Sequence, residues 1–394
     1  MNKDQSKPVE FLLSYDQLQK LANLPDKTYF IVRAVTPQGN FLVTYESDTK
    51  KGVALLQFNG DAPKILSNEK SQMINHSLTV EAVITTANKE FTLLWENSGD
   101  LSDDGKYTDQ ATVEHLGADG HVLWSYQNAS ISAFQGRTLS GDVLYDLRSY
   151  MSLPPVFWQK RLLVTSNGSI VVWGDAYMLV KGDESDTNNY RFGEFRTCLT
   201  SAGKLMQEKH EIYTDAARRE YPNNQYTQLI ALKNGNWLKI QPSTGELVQY
   251  DDHCAQVSVQ KFELPSNNRS GSDAFSTVKS VLMLPNDQLL VAYVQGEGSV
   301  GLYVTTLDWK KNAASNRQWN QAIISPDTPE SDWLLSYDSS GYGQDFMRLD
   351  LALSADQKSV FVSLYNQTIT ETEDERTFNH VNELYRVALP NNLK

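Results

Sequence analysis

The residues able to do chemistry fall in a few short clusters. Asp100, Asp103, Asp104 and Asp109 crowd one segment around Gly105. Hard cations such as calcium take clustered carboxylate oxygens, and glycine permits the sharp turn between them. With Gly105 at the glycine position of a calcium loop, Asp100 and Asp104 fall on ligand positions, but Ser102 stands where an acidic ligand belongs and Ala111 where the bidentate glutamate belongs. A solvated acidic hairpin tip is the plainer expectation. Asp251, Asp252, His253 and Cys254 mix ligand types. Alternate residues of a strand point to opposite faces, so at most two of them meet one ion, short of the three or four a transition metal needs. His253 then reads as a surface histidine. The run Ser339, Ser340, Gly341, Tyr342, Gly343 lacks the glycine two residues before the serine that a nucleophile elbow requires, and no helix follows it to cradle a phosphate. Arg218 and Arg219 lie close to Tyr213 and Tyr221. Arginine and tyrosine recur at interface hot spots, which makes these four a candidate protein-contact patch. Cys198 and Cys254 form no C-x-x-C or metal-ligand spacing and are expected as two unpaired, mostly buried thiols. No motif implies a cofactor.

Composition narrows the partners. The chain has 394 residues with 35 Lys+Arg against 48 Asp+Glu, a formal net charge of -13, so an extended polyanion is a poor partner. With 40% hydrophobic and 21% charged residues the chain has the apolar surface to fold. The opening stretch 1–20 has no apolar core of a secretory leader, and no apolar run reaches the roughly 18 residues of a membrane span. The chain is expected to be cytoplasmic as it stands, or periplasmic or secreted if a leader has been cleaved, with no insertion into a membrane.

The elements that must position these clusters are nearly all strands. Ser14 with Gln17 makes a capping-box pattern, and Leu18, Leu21 and Leu24 follow at helical spacing before Pro25, which predicts one short N-terminal helix. A second short helix is expected from Asp215 to Arg219. Elsewhere an apolar strand, a short polar turn and a second apolar strand recur, as in Arg161–Val164 and Ile170–Trp173 around Asn167-Gly168, and Leu229–Leu232 and Trp237–Ile240 around Asn234-Gly235. Asn-Gly predicts a type I′ turn, with positive φ at both residues. Because both runs of each pair are nearly all apolar, these strands are expected to be covered on two faces. Amphipathic pairs follow, such as Thr112–Leu116 with His121–Trp124 and Phe195–Leu199 with Lys204–Met206. Long loops are expected near 97–110, 181–191, 264–275 and 311–346, and the segment 141–147 is a candidate for an irregular further blade.

The turns of the six inner hairpins lie about 50 to 80 residues apart, and the shorter intervals match the roughly 40–50 residues of a four-stranded propeller blade. The phrases Leu353–Lys358, Leu116–Trp124 and Ser243–Val248 resemble blade phrases of bacterial β-propellers. The middle one is similar to the quinoprotein-like and WD40-like repeats, in which a glycine, here Gly120, precedes a docking tryptophan, here Trp124, by four positions. Ser354-x-Asp356 partly resembles the Asp-box turn of sialidase-like propellers, an element that braces a turn and does no catalysis. A pair of β-sandwiches shares the same strand and turn pattern, but closure into a ring suits so many strands and so little helix. The expected fold is all-β: one β-propeller over 1–394, of six or seven four-stranded antiparallel blades. Residues 1–27 would supply a strand and the short helix, and would close the ring with strands at 381–390. Such a ring presents loop faces, and the expected function is a non-catalytic binding or scaffold protein for a protein partner, in an inhibitor or immunity-like role. The alternative is a hydrolase or lyase acting on a glycan or lactone with carboxylates at the channel mouth.

Overall fold

The structure is a computed structural model. It describes residues 9–13, 29–35, 41–46, 51–56, 64–67, 78–84, 90–101, 107–118, 120–127, 135–137, 143–146, 156–179, 190–213, 227–241, 246–261, 275–297, 299–310, 319–324, 346–354, 356–371 and 376–393. Within these residues the chain is all-β, with one 3-10 turn at Asn391–Leu393 and no α-helix. Both expected helices lie outside the described residues.

The chain divides into two compact units, one made of Met1–Asn68 with Lys261–Lys394 and the other of Glu69–Gln260. The first unit holds three sheets. Sheet I runs β2 (Tyr29–Val35), β3 (Phe41–Glu46), β4 (Lys51–Leu56) and β5 (Lys64–Ser67). Sheet V runs β20 (Phe275–Met283), β21 (Leu289–Glu297), β22 (Ser299–Leu307) and β23 (Asn320–Ile324). Sheet VI runs β24 (Phe346–Leu353), β25 (Ser359–Glu371), β26 (Arg376–Ala388) and then β1 (Val9–Leu13), whose Val9 pairs with Val387. The second unit holds sheet II, from β6 (Leu78–Ile84), β7 (Phe91–Leu101), β8 (Tyr107–Leu116) and β9 (Val122–Gln127). Sheet III contains β12 (Val156–Val164), β13 (Ile170–Leu179), β14 (Tyr190–Leu199) and β15 (Leu205–Tyr213), and sheet IV contains β16 (Gln228–Ala231), β17 (Trp237–Gln241), β18 (Glu246–Tyr250) and β19 (Gln256–Lys261). Within each unit the first strands of successive sheets lie side by side, β2, β24 and β20 in one and β6, β12 and β16 in the other. This is the blade arrangement of a β-propeller.

Three expectations are corrected. Six or seven four-stranded blades were expected; five sheets have four strands and sheet III has six. Its extra strands are β10 (Gln135–Arg137), which pairs in parallel with β15, and β11 (Val143–Asp146), so the segment read as an irregular further blade widens sheet III instead. The loop expected over 97–110 is mostly strand: β7 and β8 extend to Leu101 and Tyr107, leaving 102–106 outside the described residues.

The Asn-Gly turns also differ from type I′. Gly168 and Gly235 have φ of 85° and 89°, but Asn167 and Asn234 are not among the positive-φ residues. Gly168 N–H donates to the Thr165 carbonyl at 2.9 Å and Thr165 N–H to the Ser169 carbonyl at 2.8 Å, a type I turn closed by a left-handed residue. Asparagine is there for its side chain: Asn167, Asn234 and Asn286 each accept, through Oδ1, the backbone N–H two residues on, at 3.2, 3.2 and 3.1 Å. At Leu284–Gln288, Pro285 fits the second turn position and Asp287, φ 63°, replaces glycine. The Ser354–Ser359 turn is braced as its Asp-box-like pattern implies: Ser354 Oγ donates to Asp356 at 2.7 Å, and Asp356 accepts Lys358 N–H at 3.1 Å. Those two hydrogen bonds, the serine's first, hold the Asp356 carboxyl below its ordinary value.

Candidate functional site

Three first strands carry a bulge. In β20 the pairs Val278–Tyr293 and Ser280–Ala292 leave Lys279 as an extra residue. In β2 the pairs Val32–Val43 and Ala34–Leu42 leave Arg33 so. In β12, Gln159 and Lys160 lie between the Trp158–Asp175 and Arg161–Trp173 pairs. Each bulged first strand therefore carries a basic residue at the bulge, a feature that re-aims side chains and is common beside active sites. β24, between β20 and β2, carries Arg348 in regular register with Tyr365. Lys279 is 6% exposed, and burial pushes its ammonium down from 10.5 to about 7. Near neutral pH such an amine can accept a proton, which an ordinary lysine cannot.

A second charged cluster lies between sheets III and IV, and the period of two builds it. Glu194, Arg196 and Cys198 alternate along β14 and share one face. Each meets sheet IV: Glu194 Oε2 accepts from Lys239 Nζ at 2.5 Å, Arg196 lies over the Tyr250 ring at 4.4 Å, and Cys198 is disulfide-bonded to Cys254. Trp173 Nε1 also donates to Glu194 Oε2 at 3.3 Å, and Trp237 stacks on Tyr250 with ring centroids 4.1 Å apart. Burial raises the Glu194 carboxyl, but Lys239, Arg196 and the Trp173 N–H together outweigh it and hold the group below its ordinary value. Burial likewise lowers Lys239, and Glu194 with Tyr250 outweighs it, so the ammonium is held above its ordinary value. Both charges are locked near neutrality, and Trp173 and Trp237 are fully buried. The cluster is an inter-sheet brace with no proton to exchange at neutral pH.

The same contact overturns two expectations. Cys198 and Cys254 are not free thiols; they form a disulfide across 56 residues of sequence. No spacing rule reveals it, because the two come together only when sheets III and IV pack. Cys254 takes the position in its turn that Gly120 and Gly203 take in theirs, with φ of 65° against 90° and 74°. The polar face of 195–199, expected as an outer amphipathic surface, also turns inward: Arg196 is 5% exposed.

The neighbouring turns interlock. Ser166 Oγ donates to the Leu232 carbonyl at 2.8 Å and accepts Gly235 N–H at 3.0 Å. Asp251, Asp252 and His253 lie in the β18–β19 turn, where strand alternation does not apply, and their ligand atoms fall within 4.8 Å of one another. They already serve the turn: Asp251 Oδ1 accepts the N–H groups of His253 and Ala255 at 2.9 and 2.8 Å, and His253 Nδ1 meets Asp252 at 2.7 Å. Trp124 does dock: a Cβ on Gly203 would lie 2.6 Å from its ring, so the sheet III turn needs glycine there for contact as well as for φ. Behind Trp124, His115 stacks at 5.2 Å and bridges Thr92 and Glu90 at 3.0 and 3.1 Å.

The structure does not gather the residues singled out from sequence. Tyr213 ends β15, opposite Arg137 of β10, while Arg218, Arg219 and Tyr221 lie outside the described residues. Asp100 lies on β7 and Asp109 on β8, opposite Ser98; Asp103 and Asp104 lie outside the described residues, as does 339–343. Lys279, Glu194 and Lys239 were missed. Their one sequence signal is a lone charge within an apolar strand, as in Val278-Lys279-Ser280-Val281 and Leu238-Lys239-Ile240.

No protein family and no characterised protein sequence matches the chain. Three solved structures are similar at low identity. A protein from Lactobacillus plantarum is 13% identical, with 91% of this chain and 84% of that one covered and a TM-score of 0.41. The GH93 alpha-L-arabinofuranosidase of Fusarium graminearum is 8% identical, covering 96% and 98%, with a TM-score of 0.46. The hemagglutinin-neuraminidase ectodomain of parainfluenza virus 5 is 8% identical, covering 97% and 86%, with a TM-score of 0.45. Likeness at this level transfers neither a site nor an activity. Among the described residues, no helix is long and apolar enough to cross a membrane.

Proposed function

We propose that the chain is a glycan-acting enzyme of the hydrolase or lyase kind, and specifically a lyase of uronate-bearing glycans. The observation that carries this reading is Lys279, a buried amine brought to about 7 at a bulge of a first strand. A general base works best with its pKa near the working pH. In the proposed step, the Lys279 amine takes the proton on the carbon next to the uronate carboxylate. The electron pair of that C–H bond forms a C=C bond, and the C–O bond to the neighbouring sugar breaks with its pair. The test is a panel of uronate and neutral glycans, read by ultraviolet absorbance of the unsaturated product. Turnover of a uronate glycan that rises with pH through about 7 and is abolished by Lys279→Met is the expected result. No turnover across the panel, or an unchanged rate in Lys279→Met, defeats the reading.

A second reading, a scaffold for a protein partner, is favoured by exposed aliphatics on outer strands: Val122, Leu123 and Leu205 are each about half exposed. On that reading Tyr213, Arg218, Arg219 and Tyr221 join the contact, and the net charge of -13 selects a partner with a basic face. Calcium at Asp100, Asp103, Asp104 and Asp109 stays a proposal to be tested by calcium titration. Of the two compartments considered, the Cys198–Cys254 disulfide favours an oxidising one, periplasmic or extracellular.

A further inference from the structure

β19 is the outermost strand of sheet IV, and the sheet order places β18 on one side of it and no described strand on the other. Residues 255–259 are all exposed, Val257 at 55% and Val259 at 51%. An edge strand of this kind presents a row of backbone donors and acceptors, and natural edges are usually guarded by charge, proline or a bulge. Here the guard is confined to the strand's last residue, Lys261: Ala255 through Gln260 contains no charged residue and no proline, in a chain that is 21% charged.

The sequence of the edge also reads the same in both directions. Gln256, Val257, Ser258, Val259 and Gln260 are symmetric about Ser258. A two-fold axis at Ser258 with antiparallel pairing sets Val257 opposite Val259 of a second copy and Gln256 opposite its Gln260, with Ser258 facing its own equivalent. From 256 to 260 every facing pair then joins residues of one type, so the uncharged part of this edge is complementary to itself, as a two-fold contact needs. Charge points the same way. Two copies each at -13 repel, and an uncharged strip is where they can approach most closely.

We propose that β19 is a self-association edge, pairing antiparallel with β19 of a second copy to join two four-stranded sheets into one of eight strands. This rests on neither functional reading above.

The test is sedimentation equilibrium of the full chain over a range of concentration and salt. The wild type should rise from 44.4 kDa toward twice that mass with concentration, and more readily as salt screens the repulsion. Val257→Glu with Val259→Glu should weaken association about tenfold or more, because like charges then face each other twice. Val257→Glu with Val259→Lys should restore it, because each glutamate then faces a lysine. Ser258→Cys should give a covalent dimer under oxidation, since facing residues bring their Cβ atoms within about 5.5 Å. Circular dichroism should superimpose for all variants, as these side chains are exposed. A wild type that stays monomeric throughout, a double-glutamate variant that associates like the wild type, or a Ser258→Cys variant that does not cross-link overturns the proposal. In the first case the edge is left to a strand of another protein.

Discussion

Two sheet-to-sheet contacts in this chain solve the same packing problem by opposite means. Between sheets V and VI the contact is aliphatic: Leu284, Leu290, Ala292, Leu302, Val304, Leu349, Val360, Val362 and Leu364 form one buried cluster. Between sheets III and IV a smaller apolar cluster of Leu163, Val171, Trp237, Val248 and Tyr250 surrounds a disulfide, an ion pair and a stacked guanidinium. The aliphatic contact gains from burial alone, at about 25 cal/mol per Å². The polar contact must overcome desolvation of two charges, and it leaves Arg196 Nε and Trp237 Nε1 without a hydrogen-bond partner, at about 1–3 kcal/mol each. Aliphatic packing tolerates small sliding, whereas an ion pair and a covalent bond fix one register. The difference teaches that sheet III, burdened with two extra strands, is held to its neighbour by directional contacts.

The comparison can be broken most sharply at Lys239. Lys239→Met leaves the Glu194 carboxylate buried without its counter-ion and should cost about 3–5 kcal/mol in urea unfolding, and the loss should shrink as acid protonates Glu194. Leu290→Ala in the aliphatic contact should cost about 2–5 kcal/mol with no such pH dependence. Equal pH behaviour of the two variants would remove the distinction. Reduction of the disulfide should lower stability by about 2–4 kcal/mol, since the bond closes a long loop in the unfolded chain. Thermal melts with and without reductant measure it, with Leu290→Ala losing as much again on reduction as the wild type. Smallest is a contrast at one residue: because Cys254 holds φ 65°, Cys254→Gly should be less destabilised than Cys254→Ala by about 1 kcal/mol in the same assay.

The two regions also titrate with different signs. Glu194, held below its ordinary value, contributes stability above the ordinary carboxylate range, lost as pH falls through its folded pKa. Lys239, held above 10.5, contributes below that value, lost as pH rises through its folded pKa. Lys279 in the other unit does the reverse. Its amine is depressed to about 7, so the unfolded chain binds more protons between there and 10.5. The wild type should therefore gain stability across that window relative to Lys279→Met, and urea midpoints of the pair between pH 7 and 10 test it.

Much of the blade structure was legible in the chain. The paired apolar runs at Arg161–Trp173 and Leu229–Ile240 are β12–β13 and β16–β17, and the outer pairs at Thr112–Trp124 and Phe195–Met206 are third and fourth strands. The turn positions were also right, though Asn167 and Asn234 act through their side chains and not through positive φ. The charged residues of the site were not legible. A lysine inside an apolar run carries no mark of whether it faces solvent, a carboxylate or an apolar wall.

The sequence alone determined what depends on neighbours a few residues apart: strand content, hairpin turns, the apolar runs that need cover on both faces, and the net charge of -13. The tertiary structure alone decided what depends on residues far apart in the chain. Cys198 meets Cys254, Glu194 meets Lys239, Ser166 clasps Gly235, and a segment after sheet II joins sheet III because packing faces were matched in space. Local propensity is settled by backbone sterics and side-chain shape over one turn or one pleat, whereas these pairings follow from how each sheet twists against the next, which no short window of sequence encodes.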